Sequence, residues 1–93
     1  MEEVELTAIT VFSKDNCKWC VLAKKLLKSK DVPFTEVKIP DKMSREEFIN
    51  LTEEHSTRPT VPKIFRGSNL IGGYEDLVEY FENEQGGYGE GKL

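Results

Sequence analysis

Two cysteines, Cys17 and Cys20, stand three residues apart in a 93-residue chain that has no other cysteine. The residues on either side decide where the pair can sit. Ile9-Thr10-Val11-Phe12 is a β-branched and aromatic run, and its pattern predicts a strand from about Leu6 to Phe12. Apolar on both faces, that strand should be central and parallel. Ser13-Lys14-Asp15-Asn16 breaks it, with Asp15 or Asn16 as the expected cap of a following helix. From Lys18 to about Lys30 the period is helical. Trp19, Leu22, Ala23, Leu26 and Leu27 share one stripe, Val21 lies off it, and Lys24, Lys25 and Lys28 form a solvated face. The pair therefore lies where a strand hands over to a helix. With Cys17 at the helix start, Cys20 is nearly one turn on and on the same face, so the sulfurs can bond and part again. A helix N-terminus favours negative charge, which pushes Cys17 toward the thiolate, the form that attacks disulfides.

Competing uses of two cysteines are weaker. Structural zinc needs four ligands, and this chain adds only His55, expected at the surface, to the two thiols. The net charge of −4 disfavours nucleic acid as a partner. No apolar run approaches the length of a membrane span. The acidic start Met1-Glu2-Glu3-Val4-Glu5 lacks the basic opening of a signal peptide. A reducing, cytoplasmic setting is thus the expectation, and there a CxxC is redox-active or metal-binding more often than a staple.

The remainder of the chain supplies one small domain. Asp31-Val32-Pro33 ends the first helix. Phe34 to Ile39 alternates as a second strand, closed by Pro40-Asp41. Ser44 with Glu47 fits a capping box for a helix reaching about Glu54. Asn50-Leu51-Thr52 matches a glycosylation sequon but lies inside that helix. His55 to Pro59 is a loop. Pro62 to Arg66 reads as a third strand, Gly67-Ser68-Asn69 as a hairpin turn and Leu70-Ile71 as a fourth strand. Gly72-Gly73 stops it, and Glu75 to Glu82 forms a last helix with acids in its first turn. A single domain over 1–82 is expected, followed by a flexible glycine-rich tail over 83–93. The order β-α-β-α-β-β-α, with a right-handed crossover and an added hairpin, predicts an α/β, thioredoxin-like fold. Its sheet is mixed and four-stranded, with flanking helices. Such sheets place their sites at the carboxyl ends of strands.

Val11 to Cys20, Thr60-Val61-Pro62 and Gly72 to Leu77, in this order and at this spacing, resemble the glutaredoxin family. The likeness spans roughly Ala8 to Phe81, and the chain's compactness resembles bacterial and bacteriophage members. The resemblance implies glutathione-dependent thiol–disulfide exchange, with Cys17 as nucleophile and Cys20 as the resolving cysteine. It implies that Lys14 meets a glutathione carboxylate; Arg58 is a candidate for a glutathione carboxylate contact or is free in solvent. Thr60-Val61-Pro62 would be a cis-proline loop whose Val61 backbone pairs with glutathione as an added strand would. Gly73, Tyr74, Glu75 and Asp76 would receive the γ-glutamyl end, with Asp76 on its ammonium and backbone N–H groups on its carboxylate. Glutathione is then the co-substrate, and disulfide-bearing proteins such as ribonucleotide reductase are the clients. The protein would act as a monomer without bound metal.

Between the cysteines the family's commonest residues are proline and tyrosine; here they are Lys18 and Trp19. Both are expected to modulate the site, Lys18 by adding positive charge beside Cys17 and Trp19 by packing or partner contact. Tyr74 is bulkier than the small residue often found at its position. Loss of the proline opens one alternative, a [2Fe–2S] cluster held between subunits with glutathione. A second is a thioredoxin-like reductant served by a flavoprotein reductase, although Asn16 stands where thioredoxins usually carry tryptophan. Independently of any family, Lys14, Lys18, Arg58 and Lys63 predict a basic rim around the site, suited to an anionic substrate.

Overall fold

The computed structural model describes residues 8–86 of the chain. The elements are β1 (Ile9–Ser13), α1 (Lys18–Ser29), β2 (Phe34–Lys38), α2 (Arg45–Glu54), β3 (Lys63–Arg66), β4 (Asn69–Gly72) and α3 (Tyr74–Gly86). They form one four-stranded sheet in the order β2-β1-β3-β4. β1 runs parallel to β2 and antiparallel to β3, and β3 pairs antiparallel with β4. The thioredoxin-like α/β arrangement, with a central parallel β1, is the one the element order predicts. Leu6, the expected start of the first strand, and residues 87–93 of the expected tail lie outside the described residues. α3 continues to Gly86, four residues past its expected end at Glu82.

Period-two alternation sends successive residues of β1 to opposite faces. Ile9 and Val11 join Ala23, Leu27, Ile64 and Leu77, so one face of the sheet is covered by α1 and α3. Phe12 joins Phe48 and Phe65 on the other face, under α2. Phe65 meets Phe12 edge-on at 5.5 Å, and His55 meets Phe65 likewise at 4.9 Å. His55 is therefore partly buried against the aromatic cluster rather than a free surface residue. Leu27 is fully buried, and truncating it to alanine would cost about 2–5 kcal/mol.

The helix boundaries follow from capping chemistry. Ser44 Oγ accepts from the N–H of Glu47 at 3.0 Å, and Glu47 Oε1 accepts from the N–H of Ser44 at 3.1 Å. That completes the expected capping box. α1 departs from expectation on its buried face. Cys20, Ala23 and Leu27 are buried, whereas Trp19 is half exposed. In the first turn the buried position falls to Cys20 rather than Trp19, whose ring packs instead on Tyr74.

Lys24 also departs from its expected solvated role. Its Nζ donates to Glu36 Oε2 at 2.8 Å, joining α1 to β2. The buried Ser13 hydroxyl donates to the same oxygen at 2.6 Å. Together, first the lysine and then the hydroxyl, they hold the Glu36 carboxyl below its usual range. Lys24 is thus a tie between α1 and β2.

Candidate active site

The carboxyl end of β1 delivers the chain into the redox pair, as open α/β sheets do. Neither Asp15 nor Asn16 caps α1. Asp15 instead accepts from Lys38 Nζ at 2.9 Å, which lowers the acid's pKa and raises the amine's. Asn16 takes a left-handed backbone with φ of 57°, a conformation that asparagine tolerates better than most residues. This turn swings Cys17 into the cap position. Its Sγ accepts from the N–H of Cys20 at 3.1 Å, and its carbonyl accepts from the N–H of Val21 at 3.1 Å. Lys18 occupies the first helical position, where a proline would also fit because that N–H has no partner inside the helix.

Cys17 and Cys20 are joined by a disulfide, with Cα atoms 5.2 Å apart. The two sulfurs differ in access. Cys20 is 1% exposed, whereas Cys17 is partly open to solvent. A thiol freed at Cys17 would lie at the positive end of a helix, with an N–H already directed at it.

The Val61–Pro62 peptide bond is cis, as is Ile39–Pro40. Two cavities adjoin the 60–61 stretch. One, of about 250 Å³, is bounded by Trp19, Thr60, Val61, Pro62, Gly73, Tyr74, Glu75 and Asp76. The other, of about 450 Å³, is bounded by Lys14, Arg45, Pro59, Thr60 and Val61 over an apolar floor of Ile39, Phe48 and Ile49. Thr60 and Val61 line both. Lys14 also borders the hollow that contains Cys17, Lys18 and Cys20. The fold therefore sets Thr60, Val61, Pro62, Gly73, Tyr74, Glu75 and Asp76 around one cavity with Trp19, and Lys14 beside both the second cavity and the hollow of the redox pair.

Two residues, Arg58 and Lys63, take positions other than those expected, and Arg45 lines a cavity although nothing in the sequence singles it out. Arg58 is exposed and borders neither of the two cavities; its carbonyl accepts from the N–H of Thr60 at 2.8 Å. Arg45, from the first turn of α2, stands in the cavity with Lys14 instead. Its spacing from the cysteines carries no signal in the sequence, since most of α1, all of β2 and the turn before α2 separate them. Lys63 is no part of a basic rim. It is 5% exposed and turned inward, its Nζ donating to Thr57 Oγ1 at 3.2 Å and Thr60 Oγ1 at 3.3 Å. Its strand position opposite Phe12, on a central strand, forces the burial. Burial in turn pushes its pKa down, and Asp76 opposes that shift.

At the opposite wall, Trp19 and Tyr74 pack ring against ring at 5.6 Å, and Lys18 Nζ lies 5.7 Å from the Trp19 centroid. Tyr74, bulkier than the small residue often found there, thus gives the exposed Trp19 a partner. Asp76 Oδ2 accepts from the N–H of Gly73 at 3.0 Å, so its carboxylate caps α3. Gly72 takes φ of 128°, and a Cβ there would lie 2.6 Å from Asp76 Cγ. Only glycine allows this approach.

Comparison with known proteins agrees with the geometry. The glutaredoxin family model matches residues 9–71. Glutaredoxin 3 of Escherichia coli is 41% identical over 70 residues, covering 74% of this chain and 80% of that protein. Hybrid peroxiredoxin hyPrx5 of Haemophilus influenzae is 36% identical over 74 residues; the match covers 80% of this chain but spans only 29% of that longer protein. Among solved structures, glutaredoxin 1 from Francisella tularensis, complexed with cacodylate, superposes with a TM-score of 0.70 at 26% identity. That match covers 84% of this chain and 95% of the other. With Cys17 capping a helix at the end of a central strand and Cys20 bonded to it from the first turn, the chain belongs to the glutaredoxin family of thiol–disulfide oxidoreductases.

Proposed function

We propose that the protein is a glutathione-dependent oxidoreductase that reduces protein disulfides and glutathione mixed disulfides. The observation that carries this reading is the pair of cavities meeting at Thr60 and Val61, one holding Lys14 and Arg45, the other ending at the start of α3. Glutathione is an extended tripeptide with a carboxylate at each end and an ammonium at one. Laid along Val61, its glycine carboxylate meets the two cations. Its γ-glutamyl end meets the N–H groups of α3 and the Asp76 carboxylate. Its central cysteine then lies over the redox pair, with its backbone paired to that of Val61.

Access supports the sulfur roles of this reading: the partly open Cys17 attacks and the buried Cys20 resolves. With a glutathionylated client, the Cys17 thiolate attacks the glutathione sulfur and the client thiolate leaves, taking a proton. A second glutathione thiolate then attacks the same glutathione sulfur. Oxidised glutathione leaves and the Cys17 thiolate returns. With a client disulfide, Cys17 forms a mixed disulfide and releases one client thiol. Cys20 then attacks Cys17, releases the second, and leaves the pair oxidised. Two glutathione molecules restore the dithiol and become one oxidised glutathione. Disulfide-bearing proteins in a reducing, cytoplasmic setting are the clients this chemistry suits.

A coupled assay tests the reading. NADPH consumption with glutathione and glutathione reductase should be rapid for a glutathionylated peptide. Rapid consumption with thioredoxin reductase and no glutathione would contradict it.

A further inference from the structure

Among the described residues, Lys63 is the charged side chain that the fold buries. It opens β3 directly after the cis Val61–Pro62 bond. No carboxylate among the described residues lies within ion-pair distance of it. Its contacts are the two threonine hydroxyls, at 3.2 Å on Thr57 and 3.3 Å on Thr60. A lysine ammonium has three donors and no acceptor. Both threonine oxygens must therefore accept from it, and each hydroxyl keeps one proton to give elsewhere. An unconstrained threonine hydroxyl rotates and serves as donor or acceptor alike. One whose lone pair faces an ammonium is set as a donor. Thr57 is partly buried, but Thr60 is exposed and borders both cavities. Its remaining proton is free to face a ligand there.

We propose that Lys63 is a positioning residue: it holds Thr60 as a hydrogen-bond donor in the groove and so favours a ligand carrying a carboxylate over a neutral one. This deepens the glutathione reading and rests on it. The ammonium also ties the 57–60 stretch to the start of β3, so the donor and the Val61 backbone are held on one rigid support. A methionine at 63 would fill the space of the aliphatic stem but leave both hydroxyls undirected. An arginine would keep donors and charge.

The test is steady-state turnover of a glutathionylated peptide with glutathione reductase, for wild type, Lys63→Met, Lys63→Arg, Thr60→Val and the Lys63→Met/Thr60→Val double variant. Lys63→Met should raise KM about tenfold with kcat nearly kept, and Lys63→Arg should recover most of the loss. If Lys63 acts through Thr60, the double variant should be no worse than the worse single variant. An unchanged KM in Lys63→Met, a loss confined to kcat, or two effects that multiply would overturn the proposal. Thr60→Val, on the exposed loop, covers the case in which Lys63→Met does not fold: an unchanged KM there also overturns it. A wild type that turns over no glutathione substrate overturns the glutathione reading itself and this proposal with it. Wild-type turnover with an indifferent Lys63→Met overturns only this one.

Discussion

The sulfur of Cys17 accepts a hydrogen bond from the N–H of Cys20 at 3.1 Å, so the sulfur caps its own helix. The cap and the proposed nucleophile are one group. The N–H and helix dipole that order the first turn of α1 are then the same features that favour negative charge on the sulfur. Cys20, one turn away, is 1% exposed and bonded to Cys17.

This asymmetry predicts unequal mutants. Cys17→Ser should lose all glutathione-coupled turnover. Cys20→Ser should keep deglutathionylation and lose reduction of an intramolecular client disulfide. Parallel assays on the two substrate types check this; deglutathionylation by Cys17→Ser would reverse the roles.

Glu36 should govern acid stability. Folding lowers its pKa, through Lys24 first and Ser13 second. The unfolded chain therefore holds a proton at Glu36 more readily. The stabilisation is fully present above the ordinary glutamate value of the unfolded chain and is lost as pH falls through the lower folded value. The side chains of the pair are only 26% exposed, so Glu36→Gln should cost about 1 kcal/mol near neutral pH. Urea unfolding of both proteins at neutral and acidic pH should show the difference shrinking as the pH drops.

Gly72→Ala should destabilise the chain by about 1–3 kcal/mol, because φ is 128° and the new methyl meets Asp76. Combining it with Asp76→Gly should relieve the overlap but not the backbone strain, so chemical denaturation of the double variant should fall short of the sum of the singles.

Trp19→Ala should change stability by less than about 1 kcal/mol, as a side chain left half in water contributes little by burial. A loss of several kcal/mol in thermal or urea unfolding would return Trp19 to the core stripe its spacing suggests.

The elements most legible in the sequence were those fixed by local chemistry. The β-branched run before Ser13, the proline after α1 and the Ser44–Glu47 box each act within a few residues. Their order determined the sheet. The misreadings share a cause: they depend on which element arrives from elsewhere. Trp19 follows helical periodicity but is left half exposed against the ring of Tyr74. Lys24 looks like a solvated lysine until β2 brings Glu36 beside it. Lys63 looks like part of a charged rim until its central strand turns it inward. Arg45 reaches the site only through the packing of α2, and Asn16 yielded its capping role because the left-handed turn moved the cap to Cys17.

The central claim is that glutathione meets this protein at Cys17. The most direct measurement is mass spectrometry of the Cys20→Ser variant after incubation with oxidised glutathione, with the adduct mapped by peptide digestion. One glutathione bound through a disulfide to Cys17, and released by excess reduced glutathione, is the predicted result. A Cys17 that stays free under these conditions would contradict the account.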